Sequence, residues 1–510
     1  MTTKIHSDYT KLLSKTQDAT VLATAEGIIH WDMETGMPPG AIEQRSQQLA
    51  LLSCIHHKLS TDPQIGKLLN AIQKNAEYET LTQIEKRNLY LIKKSYLEQT
   101  SLPEKLVGDI ARQEAVTVQI WKKAKAQKNF SLFKADLQKL FDLSKQSAEI
   151  LMKVKETKTP YEALVDNFEP KMTTPKITAT FSQLQRGLKQ LVTKVETLQP
   201  KPDLAALSRP VAVEKQKNIA QLLTKTLGYD TVSSEAHGRI DETEHPFTTG
   251  YYDDVRITTH YYLNNFASSI FSVLHETGHA IYEQNLNPEW KYQPIGSPCS
   301  FGIHESQSRF YENVLGRSKE FWESVMPKIK KVAPNLAWIE MGQFLSAVNK
   351  VERSKIRIEA DEVTYSLHII IRFEIERDLF DGKITIGELP QVWNEKYADY
   401  LGVDVTNDSE GVMQDTHWAS GLYGYFPSYA FGNIYDGQIT AKITKDLPEW
   451  RSELSSGNLN QVNKWLKTNI HAYGDLYDPE ELIEKATGSK LDSAFYLKYL
   501  NEKYSKLYGF

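Results

Sequence analysis

The sequence has few cysteines and no long apolar run. Of its 510 residues only two are cysteine, Cys54 and Cys299, which excludes a disulfide-rich scaffold and a structural zinc site built from cysteine. The most apolar stretch, 367–371, contains His368, whereas a bilayer-spanning helix needs about 20 apolar residues. The N-terminal residues carry no apolar leader. We therefore expect a cytoplasmic protein without a membrane span.

Neither sign of charge dominates the chain. Its 60 Lys+Arg residues oppose 65 Asp+Glu residues, so the formal net charge is −5. A slightly acidic balance argues against nucleic acid or an anionic membrane as the main partner. Charged residues make up 25% and hydrophobic residues 40%, as is usual for globular proteins.

The first 230 residues predict a series of helices. Apolar residues recur at helical spacing, and good helix formers surround them; the predicted helices include 42–60, 64–74, 106–125 and 132–155. Proline-rich segments separate these stretches, and the best candidate for a linker is Gln199–Pro202.

The pattern changes between about residues 230 and 262. The segment 255–261 is rich in β-branched and aromatic residues that alternate in character, which predicts a small antiparallel sheet. Helical periodicity returns at about Phe266 and continues to the end. The sequence therefore predicts a mainly α protein with one small antiparallel sheet.

The strongest chemical signal is the HExxH motif at His275, Glu276 and His279. Residues four apart share one face of a helix, so the two imidazoles can bind one metal ion. Glu276 is rotated by about 100° from His275, which places its carboxylate beside the ion, where it can act as a general base. The motif predicts a catalytic metal site of the metalloprotease type.

Two histidines leave a catalytic zinc ion short of its third protein ligand. A third histidine at the spacing found in metzincins is absent, because position 285 is Asn. We expect a carboxylate from a later helix and favour Glu305 over Glu312. Glu283 is too close in sequence to reach the same side as both histidines.

The chain resembles the M32 family of metallocarboxypeptidases over nearly its full length. Six motifs carry the resemblance in the family's order: 245–247 (HPF), 254–258 (DVRIT), 275–279 (HETGH), 304–307 (HESQ), 356–361 (IRIEAD) and 411–418 (GVMQDTHW). The resemblance implies a large two-lobed helical body with a deep central groove. It also implies a single domain over 1–510, with a helical lobe at approximately 1–200 and a catalytic region at approximately 230–430.

The same resemblance implies a homodimeric enzyme that removes single residues from the free C-terminus of peptides. It implies one Zn²⁺ ion per chain on His275, His279 and Glu305, which agrees with the preference for Glu305 above. Co²⁺ or another divalent ion would also suit these ligands. Glu276 is then the expected general base.

Other residues of these segments are candidates for contact with the substrate. His417, Tyr423 and Tyr425 are candidates to stabilise an oxyanion, although a given tyrosine is more often a packing residue. His245 is a candidate for binding the substrate backbone or, equally, a structural residue in a turn.

Recognition of a terminal carboxylate calls for a guanidinium. We favour Arg357, on a predicted long helix at about 350–380, over Arg256. The alternative interpretation of each arginine is a local ion pair, for Arg256 with Asp254.

Further carboxylates are expected to orient the zinc histidines. Asp415 and Asp361 are candidates between which the spacing does not decide, and Arg309 could steady Glu305. Two competing functions use the same residues. One is an endo-oligopeptidase or dipeptidyl carboxypeptidase, which differs in product length. The other is a helical peptide-binding protein without chemistry, which differs in metal content.

Overall fold

The computed structural model describes residues 3–198 and 201–510. Its first part contains the helices α1 (Lys4–Thr35), α2 (Ile42–Ser60), α3 (Pro63–Gln73), α4 (Gln83–Ser101), α5 (Glu104–Ala126), α6 (Lys134–Lys155), α7 (Pro160–Val165), α8 (Thr174–Glu196) and α9 (Val213–Leu227). The mainly α prediction is confirmed, including the predicted helices at 42–60 and 106–125. The proposed linker begins at Gln199 and Pro200, which lie outside the described residues.

Three short strands follow α9 and precede the next helix. They are β1 (Gly238–Glu242), β2 (Thr248–Tyr251) and β3 (Asp254–Thr259), in the order β1-β3-β2. The β2–β3 pair is antiparallel, but β1 and β3 run parallel. The prediction of an antiparallel sheet is therefore wrong in this pairing. Two chain reversals give β3 the direction of β1, and β3 lies between the other two strands.

The remaining chain is helical. Its helices are α10 (Phe266–Gln284), α11 (Phe301–Arg309), α12 (Lys319–Val332), α13 (Met341–Val348), α14 (Tyr365–Phe380), α15 (Leu389–Leu401), α16 (Phe426–Asp446), α17 (Trp450–Ser455), α18 (Asn460–Asn469), α19 (Pro479–Thr487) and α20 (Ala494–Tyr508). A π-helical turn over Phe310–Leu315 continues α11 directly. No helix within residues 3–198 and 201–510 has the length and apolarity that a membrane crossing requires.

The predicted long helix at about 350–380 is wrong in its first half. Arg357–Glu359 form a single 3₁₀ turn, and α14 begins only at Tyr365. The carboxylate of Asp361 accepts hydrogen bonds from the backbone N–H groups of Val363 and Thr364. This local turn competes with a continuous helix.

The buried apolar residues form two clusters. The smaller cluster joins α1, α3 and α4 through residues such as Ile5, Ile72 and Leu89. The larger cluster extends from Ala124 to Tyr504 and surrounds α10, α11, α14 and α16. The division of the chain into a helical lobe and a catalytic region stays a prediction.

Glycines allow α10, α11 and α16 to approach closely. A Cβ atom on Gly278 of α10 would lie 2.5 Å from the carbonyl oxygen of Gln307. A Cβ atom on Gly432 of α16 would lie 2.6 Å from Cγ of Glu305. Because neither glycine has that atom, the backbone of α11 is held between the two helices, and Glu305 faces α10.

Candidate metal centre

A cavity of about 850 Å³ lies against α10 and α11. The HExxH residues His275, Glu276 and His279 line it, together with Glu305. Aromatic side chains and polar groups from α4, α16 and the loops 166–170, 246–248 and 298–300 complete the wall. Segments that are far apart in sequence therefore enclose a single space around the predicted metal ligands.

Three ligand atoms converge in this cavity. The Nε2 atoms of His275 and His279 lie 3.7 and 3.6 Å from Oε2 of Glu305. One ligand atom from each of the three residues lies within 4.8 Å of the others. Two imidazoles and one carboxylate are a donor set that suits a catalytic divalent ion. The three residues therefore fit a single metal ion.

His275 is oriented by Glu312 from the next turn of the α11 segment. Nδ1 of His275 lies 2.9 Å from Oε2 of Glu312. Glu312 also accepts hydrogen bonds from Arg309 and Arg317. Burial opposes a charge on His275, but the carboxylates of Glu305 and Glu312 raise its pKa overall. Glu312 thus fixes the ring so that Nε2 faces the cavity.

His279 is oriented by a different chain of partners. Its Nδ1 lies 2.5 Å from Nδ1 of His304, and Nε2 of His304 lies 2.9 Å from Oε1 of Glu283. Burial, followed by the neighbouring His304, lowers the pKa of His279 to about 3. A neutral ring with Nδ1–H directed at His304 leaves the Nε2 lone pair free for a cation.

The outer partners of the two histidines are therefore Glu312 and His304. Asp415 and Asp361 do not fill this role, because Asp415 pairs with two arginines and Asp361 accepts hydrogen bonds from Val363 and Thr364, which precede α14. The available signal in the sequence was proximity to Glu305. His304 is its neighbour, and Glu312 follows it by two helical turns.

Glu305 is held as a carboxylate. Arg309 donates from Nε to its Oε1 at 2.8 Å, and Ser308 donates from Oγ to its Oε2 at 3.1 Å. Burial alone would raise the pKa of Glu305, but Arg309 and the two histidines hold it well below its usual range. The predicted contact of Arg309 with Glu305 is confirmed.

Glu276 lies beside the three ligands without joining them. Its side chain is buried, and its Oε2 accepts a hydrogen bond of 2.6 Å from Oγ1 of Thr248 on β2. Burial raises the pKa of Glu276, whereas His275 and Thr248 oppose the increase. The small sheet thus orients a carboxyl group whose proton affinity is above normal. No sequence pattern pointed to Thr248.

The two candidate tyrosines are in different places. Tyr425 lines the cavity and packs edge-on against Phe168 and Phe301, with ring centroids 4.9 and 5.4 Å away. Tyr423 is buried between Phe141 and Phe380 and does not line the cavity. The structure brings Tyr425 to the site and places Tyr423 in the core.

His417 lies one layer behind the cavity wall. Its ring packs against Phe426 in a tilted arrangement, with the ring centroids 4.5 Å apart. Its Nε2 is 3.5 Å from the hydroxyl of Tyr429, which does line the cavity. Burial lowers the pKa of His417 to about 4. It is therefore neutral near pH 7 and contacts the cavity through Tyr429.

Arg357 is buried behind the same wall. It donates to Asp415 at 3.0 Å, and its guanidinium lies 5.2 Å from the ring centroid of Tyr429. Arg372 shares Asp415 with it, at 2.6 Å. The alternative interpretation of Arg357, an ion pair, is therefore present in the structure. Its partner is Asp415, which belongs to the 411–418 motif.

Arg256 and His245 belong to the sheet region. Arg256 forms a bidentate pair with Asp254 and stacks on Trp31 of α1. His245 is exposed in the bend between β1 and β2. It precedes Pro246, which lines the cavity. Neither side chain is among the groups that line the cavity in the described chain.

A helical protein that brings an HExxH helix to a carboxylate on a second helix is a metal-dependent peptidase by class. Residues 11–504 match the family model described as Carboxypeptidase Taq (M32) metallopeptidase, and the chain belongs to this family. "Carboxypeptidase 1" of Bacillus subtilis (strain 168) is 37% identical over 486 residues, which cover 95% of each chain.

Two further comparisons cover the chain almost completely. "Thermostable carboxypeptidase 1" of Thermus thermophilus is 37% identical over 508 residues, 98% of this chain and 99% of that one. The solved M32 carboxypeptidase from Deinococcus radiodurans R1 has a TM-score of 0.94 at 32% identity, and the match covers 99% of this chain and 100% of that one. The protein is therefore a peptide hydrolase and a metallocarboxypeptidase, and its family implies a divalent metal ion.

Proposed function

We propose that the protein is a zinc-dependent carboxypeptidase that removes one residue at a time from the free C-terminus of peptides. The observation that carries the proposal is the convergence of His275, His279 and Glu305 on one point of a large cavity. Glu276 lies beside that point with its carboxyl group held by Thr248. Bound Zn²⁺ would supply a Lewis acid that polarises the scissile carbonyl and makes a water molecule more acidic.

Glu276 is the general base in this proposal. Its raised pKa increases its affinity for the proton that it takes from the attacking water. It then delivers this proton to the nitrogen of the leaving residue. Thr248 keeps one carboxylate oxygen occupied, so the other oxygen is available to carry the proton.

Tyr425 is the proposed donor to the oxyanion, because its side chain reaches the cavity. His417 is proposed to assist Tyr425 indirectly, through its contact with the hydroxyl of Tyr429. Arg357 is the proposed recognition site for the terminal carboxylate, because its guanidinium lies 5.2 Å from the ring centroid of Tyr429, which lines the cavity. Arg256 remains the less favoured candidate for the terminal carboxylate, and His245 remains a candidate contact for the substrate backbone.

Zinc is the proposed metal, and a cytoplasmic homodimer is the proposed form of the enzyme. The exposed free thiol of Cys54 suits a reducing compartment. α1 and α2 expose apolar side chains that a second subunit would cover, among them Val21, Ile28, Ile42 and Leu51. Light scattering of the purified protein measures its mass directly, and a monomer would contradict the dimer.

Product analysis by mass spectrometry tests the activity. One peptide is supplied as the free acid and as the C-terminal amide, with and without a chelator, and the metal content of the protein is measured in parallel. We expect single residues to be released much faster from the free acid than from the amide, and no products after chelation. Release of dipeptides or internal fragments would support the dipeptidyl or endo-oligopeptidase alternative instead.

A further inference from the structure

A second cavity lies farther along α16. Its volume is about 590 Å³, and α16 contributes Gly437, Thr440 and Thr444 to its wall, facing α20. Among the described residues, none that lines this cavity also lines the first. Its volume falls within the range of about 300–1,000 Å³ that is usual for small-molecule sites. The known chemistry of the protein gives this cavity no role.

The floor of the second cavity is apolar. Val314 and Leu345 are buried there, and Phe495 and Tyr499 of α20 are half-buried. Leu507 at the edge is 39% exposed. Covering such a surface with an apolar group is favourable, because apolar area is removed from water.

The rim of the second cavity is cationic. Four basic side chains that are at least partly exposed, Lys319, Arg451, Lys498 and Lys506, lie there with two acidic ones, Glu320 and Glu502. The other two basic residues that line the cavity, Arg317 and Lys503, are already paired with Glu312 and Glu362. Two ion pairs at the rim are long. Arg451 and Lys498 lie 3.8 Å from Glu320 and Glu502 respectively. These cations therefore keep N–H groups available for an incoming anion.

The deeper cation is already neutralised. Nζ of Lys503 lies 2.6 Å from Oε2 of Glu362, which is buried and also accepts from Tyr499. A second negative charge at this depth would be repelled by Glu362. An anionic group must therefore bind at the rim, near Arg451, Lys498 and Lys506, while an apolar body fills the interior.

We propose that this cavity binds an amphipathic anion, a single carboxylate on an apolar body of the fatty-acid type. The cationic rim disfavours ligands that carry an ammonium group, such as free amino acids and the amino ends of peptides.

Calorimetric titration of the full-length, chelator-treated protein with decanoate tests the proposal. Because the metal is removed, the result is independent of the peptidase activity. We expect saturable binding at one site per chain, at least tenfold tighter than that of decanamide, which has the same apolar chain but no charge. Octyl phosphate, titrated in parallel, shows whether a carboxylate or a phosphate head is preferred. Absence of saturable decanoate binding, decanoate binding no tighter than that of decanamide, or binding of octyl phosphate alone would overturn the proposal.

Three variants locate the binding site. The double variant Lys498→Glu/Lys506→Glu is expected to weaken decanoate binding at least tenfold. Ala441→Phe, which keeps the charge and fills the cavity from α16, is expected to weaken it as well. Lys122→Glu/Lys123→Glu makes the same change in charge on exposed positions of α5 and should leave binding unchanged. Equal weakening by both charge variants, or unchanged binding to Ala441→Phe, would refute this location.

Discussion

At the scale of single residues, the proposed role of Glu276 can be tested separately from metal binding. The three ligand residues form their own group, and Glu276 contacts Thr248 instead. We expect Glu276→Gln to retain the metal ion and to lose at least about three orders of magnitude in kcat, because an amide cannot accept the proton. Metal analysis and peptide turnover of the same preparation check this. Substantial turnover by the metal-loaded variant would contradict the assignment.

Arg357 gives the second prediction at this scale. Arg357→Ala should raise KM for a free-acid peptide by tenfold or more and have little effect on its C-terminal amide. Because Arg372 still holds Asp415, the fold should survive the substitution. Steady-state kinetics on the matched pair of peptides provides the measurement. An equal loss on both peptides would instead indicate that the Arg357–Asp415 ion pair is structural.

At the scale of helices and strands, close packing determines the position of Glu305. A methyl group on Gly432 would lie 2.6 Å from Cγ of Glu305. We expect Gly432→Ala to reduce the free energy of unfolding by about 1–3 kcal/mol and to weaken metal binding. Chemical denaturation and chelator competition measure the two effects. Gly342→Ala is the matched control, because nothing lies within 4 Å of its added Cβ; similar behaviour of the two variants would contradict this explanation.

Glu376 connects α14 to the loop before α16. It is buried and accepts from Tyr161, Trp418 and the N–H of Gly424, at 2.8–2.9 Å. Burial raises its pKa from 4.5 to about 7. The folded state therefore binds more protons than the unfolded state between these values, so this group's contribution to stability falls as the pH rises from 4.5 to 7.

The variant Glu376→Gln should remove this part of the pH dependence. We expect the wild-type free energy of unfolding to fall relative to the variant by up to about 3 kcal/mol between pH 4.5 and 8. Denaturation at several pH values checks the difference. Glu395→Gln, at an exposed position of α15, is the control and should retain the wild-type slope. A parallel slope for Glu376→Gln would show that Glu376 is ionised throughout.

The sequence predicts the local parts of this architecture well. The HExxH helix and α2 follow from periodicity alone, because it depends only on neighbouring residues. Strand direction in the sheet could not be predicted in this way, since alternation within a strand carries no information about which strand lies in the middle. The helix predicted at about 350–380 was too long at its N-terminal end, because the turn at Asp361 depends on the hydrogen bonds of a single side chain.

The candidate site shows the same limit. Glu305 and Glu312 are seven residues apart, so helical geometry places both on one face. In the structure, Glu305 faces the Nε2 atoms of the two histidines, and Glu312 faces Nδ1 of His275. This assignment depends on how closely α11 packs against α10. That closeness is determined by Gly278 and Gly432, whose effect appears only in three dimensions. Thr248 was missed for the same reason, because it lies on another element.

At the scale of the whole molecule, Arg87 of α4 connects the N-terminal helices to the segment after α18. It lies 2.6 Å from the carbonyl oxygen of Asp475 and 3.0 Å from Oδ1 of Asp478. We expect Arg87→Ala to destabilise the protein by about 3 kcal/mol, because it leaves two largely buried carboxylates without this partner. Urea denaturation measures the loss. Arg112→Ala, at an exposed pair with Asp109, should change stability by less than about 1 kcal/mol; an equal loss would contradict the prediction.

The wall of the first cavity draws on residues as far apart as Leu91 and Asp475. All three metal ligands are translated long before Tyr425, Tyr429 and Asp475 emerge from the ribosome. A nascent chain that stops short of them has the ligands but lacks part of the enclosure that shapes the substrate site. The substrate cavity is therefore completed only after the C-terminal part of the chain has been synthesised.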